Sequence, residues 1–396
     1  MAIREYSGSE KHMSNISGKY CIVGMGETVV GKRPDATTNS LHLEAIKACL
    51  DDAGIKNSQV DGLLTNQPLN DSHRSYAVKL AHMAGIDPLF ATDLALGGAT
   101  PIAMVEHAVM AIDAGMATTV MCVHARKRST PDPTPGHPIR RGDEHWEEPW
   151  GHFAAAGGHA FAAQRHMYEF GTTSEDLAHV AVSTRKHASL NKNATLRKPI
   201  TIEDHQMSRM IVAPLRLFDC SLESDGGGAV LVTSTERARD FPKKPVAILG
   251  MGQHHPHFGL LDAPTLTTLG GKRSSETAYK MAGLQPKDMQ FAQIYDCFTI
   301  TAMITLEDYG FCKKGEGKDF VKNGRITIGG ELPLNTHGGL LSQAHLEGQL
   351  HITEAVKQLR GNEVEPERQV ANAKVGIVSG HGGSLAMHAT LILGAL

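Results

Sequence analysis

Apolar runs alternate with amphipathic stretches through most of the chain, the order of strands and helices that marks an α/β protein. Residues 19–24 (KYCIVG) read as a buried strand closed by glycine. Residues 40–53 (SLHLEAIKACLDDA) read as a helix capped by Asn39 or Ser40 and ended by Gly54. A second strand is predicted over 60–65 (VDGLLT) and a second helix over 75–84. Residues 100–114 (TPIAMVEHAVMAIDA) form a long helix with Pro101 in its first turn. It is apolar on nearly every side, so it is expected in the middle of the fold. Residues 118–124 give another buried strand.

Residues 125–160 break the pattern. This stretch is dense in proline and holds both tryptophans, Trp146 and Trp150, so a long surface loop is expected there. Helical periodicity returns over 154–170 and 174–190, and 216–235 reads as two strands around a glycine-rich turn. The first half's order then recurs. CIVGMGET at 21–28 matches AILGMGQH at 247–254, and AGIKNSQVDGLLT at 53–65 matches AGLQPKDMQFAQIYD at 282–296, at offsets of 226 and 229. Two similar offsets in one order predict a duplicated βαβ-type unit. With PKKP at 242–245 as the boundary, the halves are expected at 14–241 and 242–396, the first carrying a loop domain near 125–215. Residues 1–13 read as an appended segment ahead of a native start at Met13.

Composition narrows the function. The 396 residues carry 39 Lys+Arg against 42 Asp+Glu, a net charge of −3, which lacks the basic signature of a nucleic-acid binder. Six scattered cysteines without CxxC spacing predict neither a disulfide framework nor a structural zinc site. No run of about 18 uncharged apolar residues suggests a membrane span, and a cytoplasmic protein is expected.

Glycine, histidine and small residues gather at four apparent strand-to-helix junctions, where α/β folds place their sites. These are LGGATP (96–101), IYDCFT (294–299), NTHGGLLSQAHLEG (335–348) and SGHGGS (379–384). His337 and His345 are either site residues or satisfied core histidines. SGHGGS either cradles an anion with backbone amides or makes a tight turn. HHPH (254–257) is read as a solvated loop rather than a metal site. Arg126, Lys127, Arg128, Arg140 and Arg141 either meet phosphates or form a solvated face. Asp219 and Asp225 read as turn formers, and Cys297 as a structural thiol.

NTHGGLLSQAHLEGQLHITEAVKQLRG resembles the C-terminal catalytic segment of the thiolase superfamily, and in particular its sterol-carrier-protein-type and lipid-transfer-protein-like branch. GMGET, LGGATPIAMVEHAVMAIDAG, PWGHFAAAGGHAFAAQRHM, DCSLESDGGGAVLV, YDCFT and GHGGSLAMHATLILG follow in the family's order over residues 19–396. The resemblance implies two duplicated βαβαβαββ halves in a five-layered α-β-α-β-α fold, a loop domain inserted in the first half, and a homodimer. It is also informative where it fails. Gly98 (or Gly97) stands where the family's nucleophilic cysteine belongs, and Gly380, His381 or Ser379 stands in place of its second cysteine. Without a thiol no acyl-cysteine intermediate forms.

What the resemblance leaves is Tyr295 at the family's Asn or His position, His345 at its GHP histidine and His337 at a serine position. This is similar to thiolase-like aldolases of steroid side-chain degradation. It implies retro-aldol cleavage of a β-hydroxyacyl-CoA to a shorter acyl-CoA and a ketone or aldehyde. Tyr295 is then the expected base, directly or through a relay, with His345 and His381 as oxyanion donors or proton sources. His337, Gly338, Gly339, Gly97, Gly98, Gly380, Gly382 and Gly383 are expected to bind substrate. Coenzyme A enters only as part of the acyl-CoA, with no resident cofactor or metal. A small partner with an OB-fold and a zinc ribbon is also implied. The rival expectations are a noncatalytic lipid or acyl-CoA carrier or scaffold, and a cysteine-independent acyltransferase.

Overall fold

The computed structural model describes residues 16–68, 75–132, 154–257, 259, 262–383 and 385–396. Residues 1–13, Arg140, Arg141, Trp146, Trp150 and Ser384 lie outside the described residues. The first half runs β1 (Tyr20–Glu27), α1 (Thr38–Ala53), β2 (Gly62–Asn66), α2 (Tyr76–Ala84), β3 (Phe90–Leu94), α3 (Thr100–Asp113) and β4 (Thr119–Lys127). Three helices follow, α4 (Ala154–Phe170), α5 (Ser174–Leu190) and α6 (Ile202–Met207), with a small hairpin of β5 (Met210–Val212) and β6 (Leu215–Arg216). β7 (Asp225–Ser234) completes the half. The second half runs β8 (Val246–His254), α7 (Gly271–Ala282), β9 (Phe291–Gln293), α8 (Thr299–Asp308), α9 (Gly317–Phe320), α10 (Gln349–Arg360), β10 (Val375–Gly382) and β11 (Met387–Ala395).

Nine strands join in the order β3-β2-β4-β7-β1-β8-β11-β10-β9. Read outward from the β1–β8 seam, β1-β7-β4-β2 is mirrored by β8-β11-β10-β9, which is the duplication in topological form. Gly54 and Gly283, at the predicted offset of 229, end α1 and α7 in the same left-handed conformation (φ 67° and 66°). The layers follow from the packing. α1 and α2 bury against the first-half strands, and α7 and α8 against the second-half core. α3 and α10 share one core with strands of both halves. This puts the almost wholly apolar helix α3 in the centre, as its sequence requires. Among the described residues no helix is long and apolar enough to cross a membrane.

Three local expectations are corrected. The cap of α1 is Thr37, whose hydroxyl accepts from the Ser40 N–H (3.0 Å) while Ser40 Oγ accepts from the Thr37 N–H (2.8 Å). β3 has no counterpart in the sequence reading. Residues 216–235 hold one long strand, β7, rather than two strands around a turn. Its glycines serve close packing instead: a Cβ on Gly227 would meet Ala125, and one on Gly228 the Gln349 side chain of α10.

Candidate active site

The Tyr295 hydroxyl stands 3.0 Å from Nε2 of His345. Tyr295 follows β9, and its backbone N–H donates to the Ser379 hydroxyl on β10 (2.8 Å). His345 follows a π-type turn over Gly339–Gln343, anchored where the Leu340 N–H donates to Asp296 Oδ1 (2.7 Å). A Cβ on Gly339 (φ +61°) would strike that carboxylate, so this turn demands glycine. The segment after Tyr295 and the turn before His345 are thus tied together beneath the site.

On the other side, the loop before α3 packs backbone to backbone against the end of β10. A Cβ on Gly380 would press on Gly98 O and Ala99, and one on Gly97 would meet Gly382. A Cβ on Gly98 would collide with the Tyr295 hydroxyl and the His381 carbonyl. The space that a side chain at 98 would need is therefore filled by the phenol of Tyr295. His381 closes the group, its ring 6.0 Å from that of Tyr295 and 5.9 Å from His159 of α4.

Burial sets the protonation states. It raises the Tyr295 phenol well above its ordinary value, with Cys297 and Glu347 adding to the effect. It lowers His345 to about 3, helped by Arg128. His381 is likewise held far below the ordinary imidazole range, by burial and then by His159 and His388. At neutral pH the site holds a phenol and neutral imidazoles. The Tyr295 hydroxyl and His345 Nε2 share one hydrogen bond, and His345 Nδ1 stands 3.0 Å from Ser221 Oγ. Neither ring nitrogen of His381 makes a hydrogen bond among the described residues.

The predicted residues do not all meet. Tyr295, His345, His381 and Gly98 come together with the Gly380–Gly383 segment. His337 stands one ring further back: it packs edge-on against His351 (4.8 Å), which in turn lies 6.2 Å from Tyr295. Gly338 is used to pass Ala188 closely. Cys297 is buried, its thiol pushed up to about 12 chiefly by burial and its sulfur 3.6 Å from His159 Nε2. Asp219 and Asp225 are buried anchors. Asp219 accepts from His205, Thr299 and the Arg216 N–H, and Asp225 from the N–H groups of Arg33, Arg128 and Ser129.

Sequence reasoning missed Glu347. This residue takes a positive φ (55°) two positions after His345 and is nearly fully buried. Arg126 pairs with one carboxylate oxygen and His124 Nε2 stands 2.9 Å from the other. Burial pushes its pKa up, but Arg126 and His124 outweigh this and hold it well below the carboxylate range. His124 and Arg126 alternate along β4 and so share one face, with Arg128 just past the strand's end. That period-2 row was the available signal. Arg126 therefore serves an internal ion pair, while Lys127 points the other way, toward Asp225 and Thr130. HHPH makes local contacts, His255 to Gln253 and His257 to the Gly259 carbonyl. Among the described residues no group of metal-binding side chains occurs.

The chain is similar to several known proteins. Residues 252–395 match the family described as thiolase C-terminal domain-like. A steroid side-chain-cleaving aldolase of Thermomonospora curvata is 39% identical over 383 residues, 92% of this chain and 96% of that protein. A 17-hydroxy-3-oxo-4-pregnene-20-carboxyl-CoA lyase of Mycobacterium tuberculosis is 39% identical over 388 residues, 91% of this chain and 96% of that protein. A solved Ltp2-ChsH2(DUF35) aldolase superposes with a TM-score of 0.88 at 37% identity, covering 96% of this chain and 98% of that one.

Proposed function

The chain belongs to the thiolase superfamily, among its thiolase-like SCP2-type proteins, and from that premise we propose that it is a carbon–carbon lyase. Its substrate is a β-hydroxyacyl-CoA with a steroid or similarly bulky side chain, which it cleaves by retro-aldol chemistry. The single observation that carries this reading is the Tyr295 hydroxyl in the space that a side chain at 98 would need, bonded to His345. Such a site lacks a nucleophile but keeps a base, and retro-aldol cleavage needs no more.

The steps follow from the protonation states. Tyr295 takes the β-hydroxyl proton as its own passes to His345 Nε2. The Cα–Cβ bond breaks, releasing the ketone or aldehyde, and its electron pair moves into the thioester as an enolate. His381, a neutral imidazole facing Tyr295, donates its N–H to the enolate oxygen. The proton held on His345 then returns through Tyr295 to Cα, giving the shortened acyl-CoA. The backbone around Gly97, Gly98 and the Gly380–Gly383 segment shapes the thioester end, with His337 and Gly338 behind it. Coenzyme A takes part only as the carrier of the acyl group.

A homodimer is part of the same reading. It is supported by β3, an edge strand that the exposed Leu89 directly precedes. A small OB-fold and zinc-ribbon partner is supported by the two-component name of the structural relative and by exposed Phe161, Met207 and Met210 near the 210–216 hairpin. The test is to incubate the chain, alone and with a zinc-ribbon partner encoded beside it, with a panel of β-hydroxyacyl-CoAs. Mass spectrometry should find a shortened acyl-CoA and a matching carbonyl product, both lost in Tyr295→Phe and His345→Ala. Bound but intact substrates across the panel would move the reading to a carrier or scaffold.

A further inference from the structure

The segment DCSLESD lies between the two halves of the catalytic pair. The Ser221 N–H donates to the Cys297 carbonyl (2.9 Å), two residues beyond Tyr295, and the Leu222 N–H to the Leu340 carbonyl (3.3 Å), in the turn that leads to His345. The Ser224 hydroxyl accepts from the His345 backbone N–H (3.1 Å), and Ser221 Oγ meets His345 Nδ1 at 3.0 Å. Both ends of the segment are fixed by buried carboxylates, Asp219 through His205 and Thr299, and Asp225 through the backbone after β4. Ser221 is therefore held by the backbone that positions both catalytic side chains.

We propose that Ser221 is a positioning residue that fixes the tautomer of His345 and thereby makes Tyr295 the base. A neutral imidazole carries one proton. With Ser221 Oγ accepting from Nδ1–H, the lone pair of Nε2 faces the Tyr295 hydroxyl and the phenol must donate to it. Tyr295 then passes its proton to Nε2 as it accepts the β-hydroxyl proton. His345 becomes a cation only while the enolate's negative charge stands beside it, which offsets the burial that otherwise keeps the ring neutral, and it returns the same proton through Tyr295 to Cα, so the cycle has no net proton change. Without Ser221 the proton is free to move to Nε2. The ring then donates to the phenol oxygen, and no acceptor remains for the phenol's proton. This inference rests on the lyase reading above, but the tautomer itself does not.

Two measurements test it. In protein labelled with 15N-histidine, the His345 resonances are identified by their absence in His345→Gln. The wild type should show His345 protonated at Nδ1, Ser221→Ala should show it protonated at Nε2, and Ser221→Thr should keep the wild-type pattern. On a β-hydroxyacyl-CoA that the wild type cleaves, Ser221→Ala should lower kcat about 10- to 100-fold with KM within about twofold, and Ser221→Thr should restore most of it. In a Tyr295→Phe background, Ser221→Ala should cost nothing further. An unchanged tautomer in Ser221→Ala, or full activity there, or a loss that adds to that of Tyr295→Phe, overturns the proposal. If no substrate is found the lyase reading fails, and the nitrogen spectra still decide the tautomer because they need none.

Discussion

The Tyr295 hydroxyl occupies the volume that any side chain at Gly98 would need. On the proposed reading the same volume cannot hold both a side chain at 98 and the phenol that moves the proton. Gly98→Ala is expected to push Tyr295 away from His345, since the other neighbour of the new Cβ is the His381 carbonyl of a fixed strand. Overpacking of this kind costs about 1–3 kcal/mol. Cleavage should fall at least about 100-fold. Gly98→Cys should not recover thiolysis while Tyr295 remains. Thermal unfolding and product assays on the two variants check both statements.

Tyr295→Phe separates packing from chemistry. The ring keeps its contacts with His345, His351 and His381, so the melting temperature should stay within a few degrees. The hydroxyl is lost, and kcat should fall by about 10²- to 10⁴-fold with little change in KM. A variant that keeps a tenth of wild-type kcat would remove Tyr295 from the chemistry.

The fold was legible because its evidence is periodic. The offset between CIVGMGET and AILGMGQH is that of β1 and β8, and the apolar faces of residues 100–113 require the centre of the molecule. Elements that rest on tertiary context were not legible. β3 is a half-buried edge strand whose pattern, FATDL, carries no alternation of its own. The glycines of β7 read as a turn because only the approach of Ala125 and Gln349 explains them. At the site, Tyr295, His345 and His381 stood in recognisable motifs. Glu347 did not, because its partners His124 and Arg126 lie more than 200 residues earlier and meet it only across the packed halves. Ser221 was hidden likewise, in a segment that sequence alone makes a turn.

Glu347 should therefore matter more than its place beside a glycine suggests. Its carboxylate neutralises Arg126 in a nearly dry setting, so Glu347→Gln leaves a buried guanidinium without its countercharge. The expected cost is about 3–5 kcal/mol of folding stability at pH 7. The sign with pH is set by the depressed pKa of the folded state. The contribution is complete above the unfolded value near 4.3 and is lost as pH falls toward the folded one. Urea titrations of wild type and variant at pH 7 and pH 6 should show the same gap, since both lie above the unfolded carboxyl's value.

The chain's many buried histidines predict its acid limit. Burial lowers His42 and His187 to about 4 and His345 and His388 to about 3, and it holds His337 and His381 well below the ordinary range. Each of these rings is neutral in the folded protein at pH 5 but protonated in the unfolded chain, so unfolding takes up protons below about pH 6.5. Two buried carboxyls oppose this. Burial raises Glu106 to about 8 and Asp308 to about 6, so at pH 5 they hold protons when folded and release them on unfolding. The imidazoles outnumber the carboxyls, so unfolding takes up protons on balance. Stability should then fall by several kcal/mol for each unit of pH between about 6 and 5. Glu106 lowers stability with rising pH from the unfolded carboxyl value near 4.3 up to about 8 and has no further effect above that, where the cysteine thiols, raised by burial, continue the fall because they ionise first in the unfolded chain. Unfolding free energies measured from pH 5 to pH 9 should therefore peak between about 6.5 and 8. Glu106→Gln should remove its share of the fall between about pH 7 and 8 and steepen the acid side by about one proton's worth.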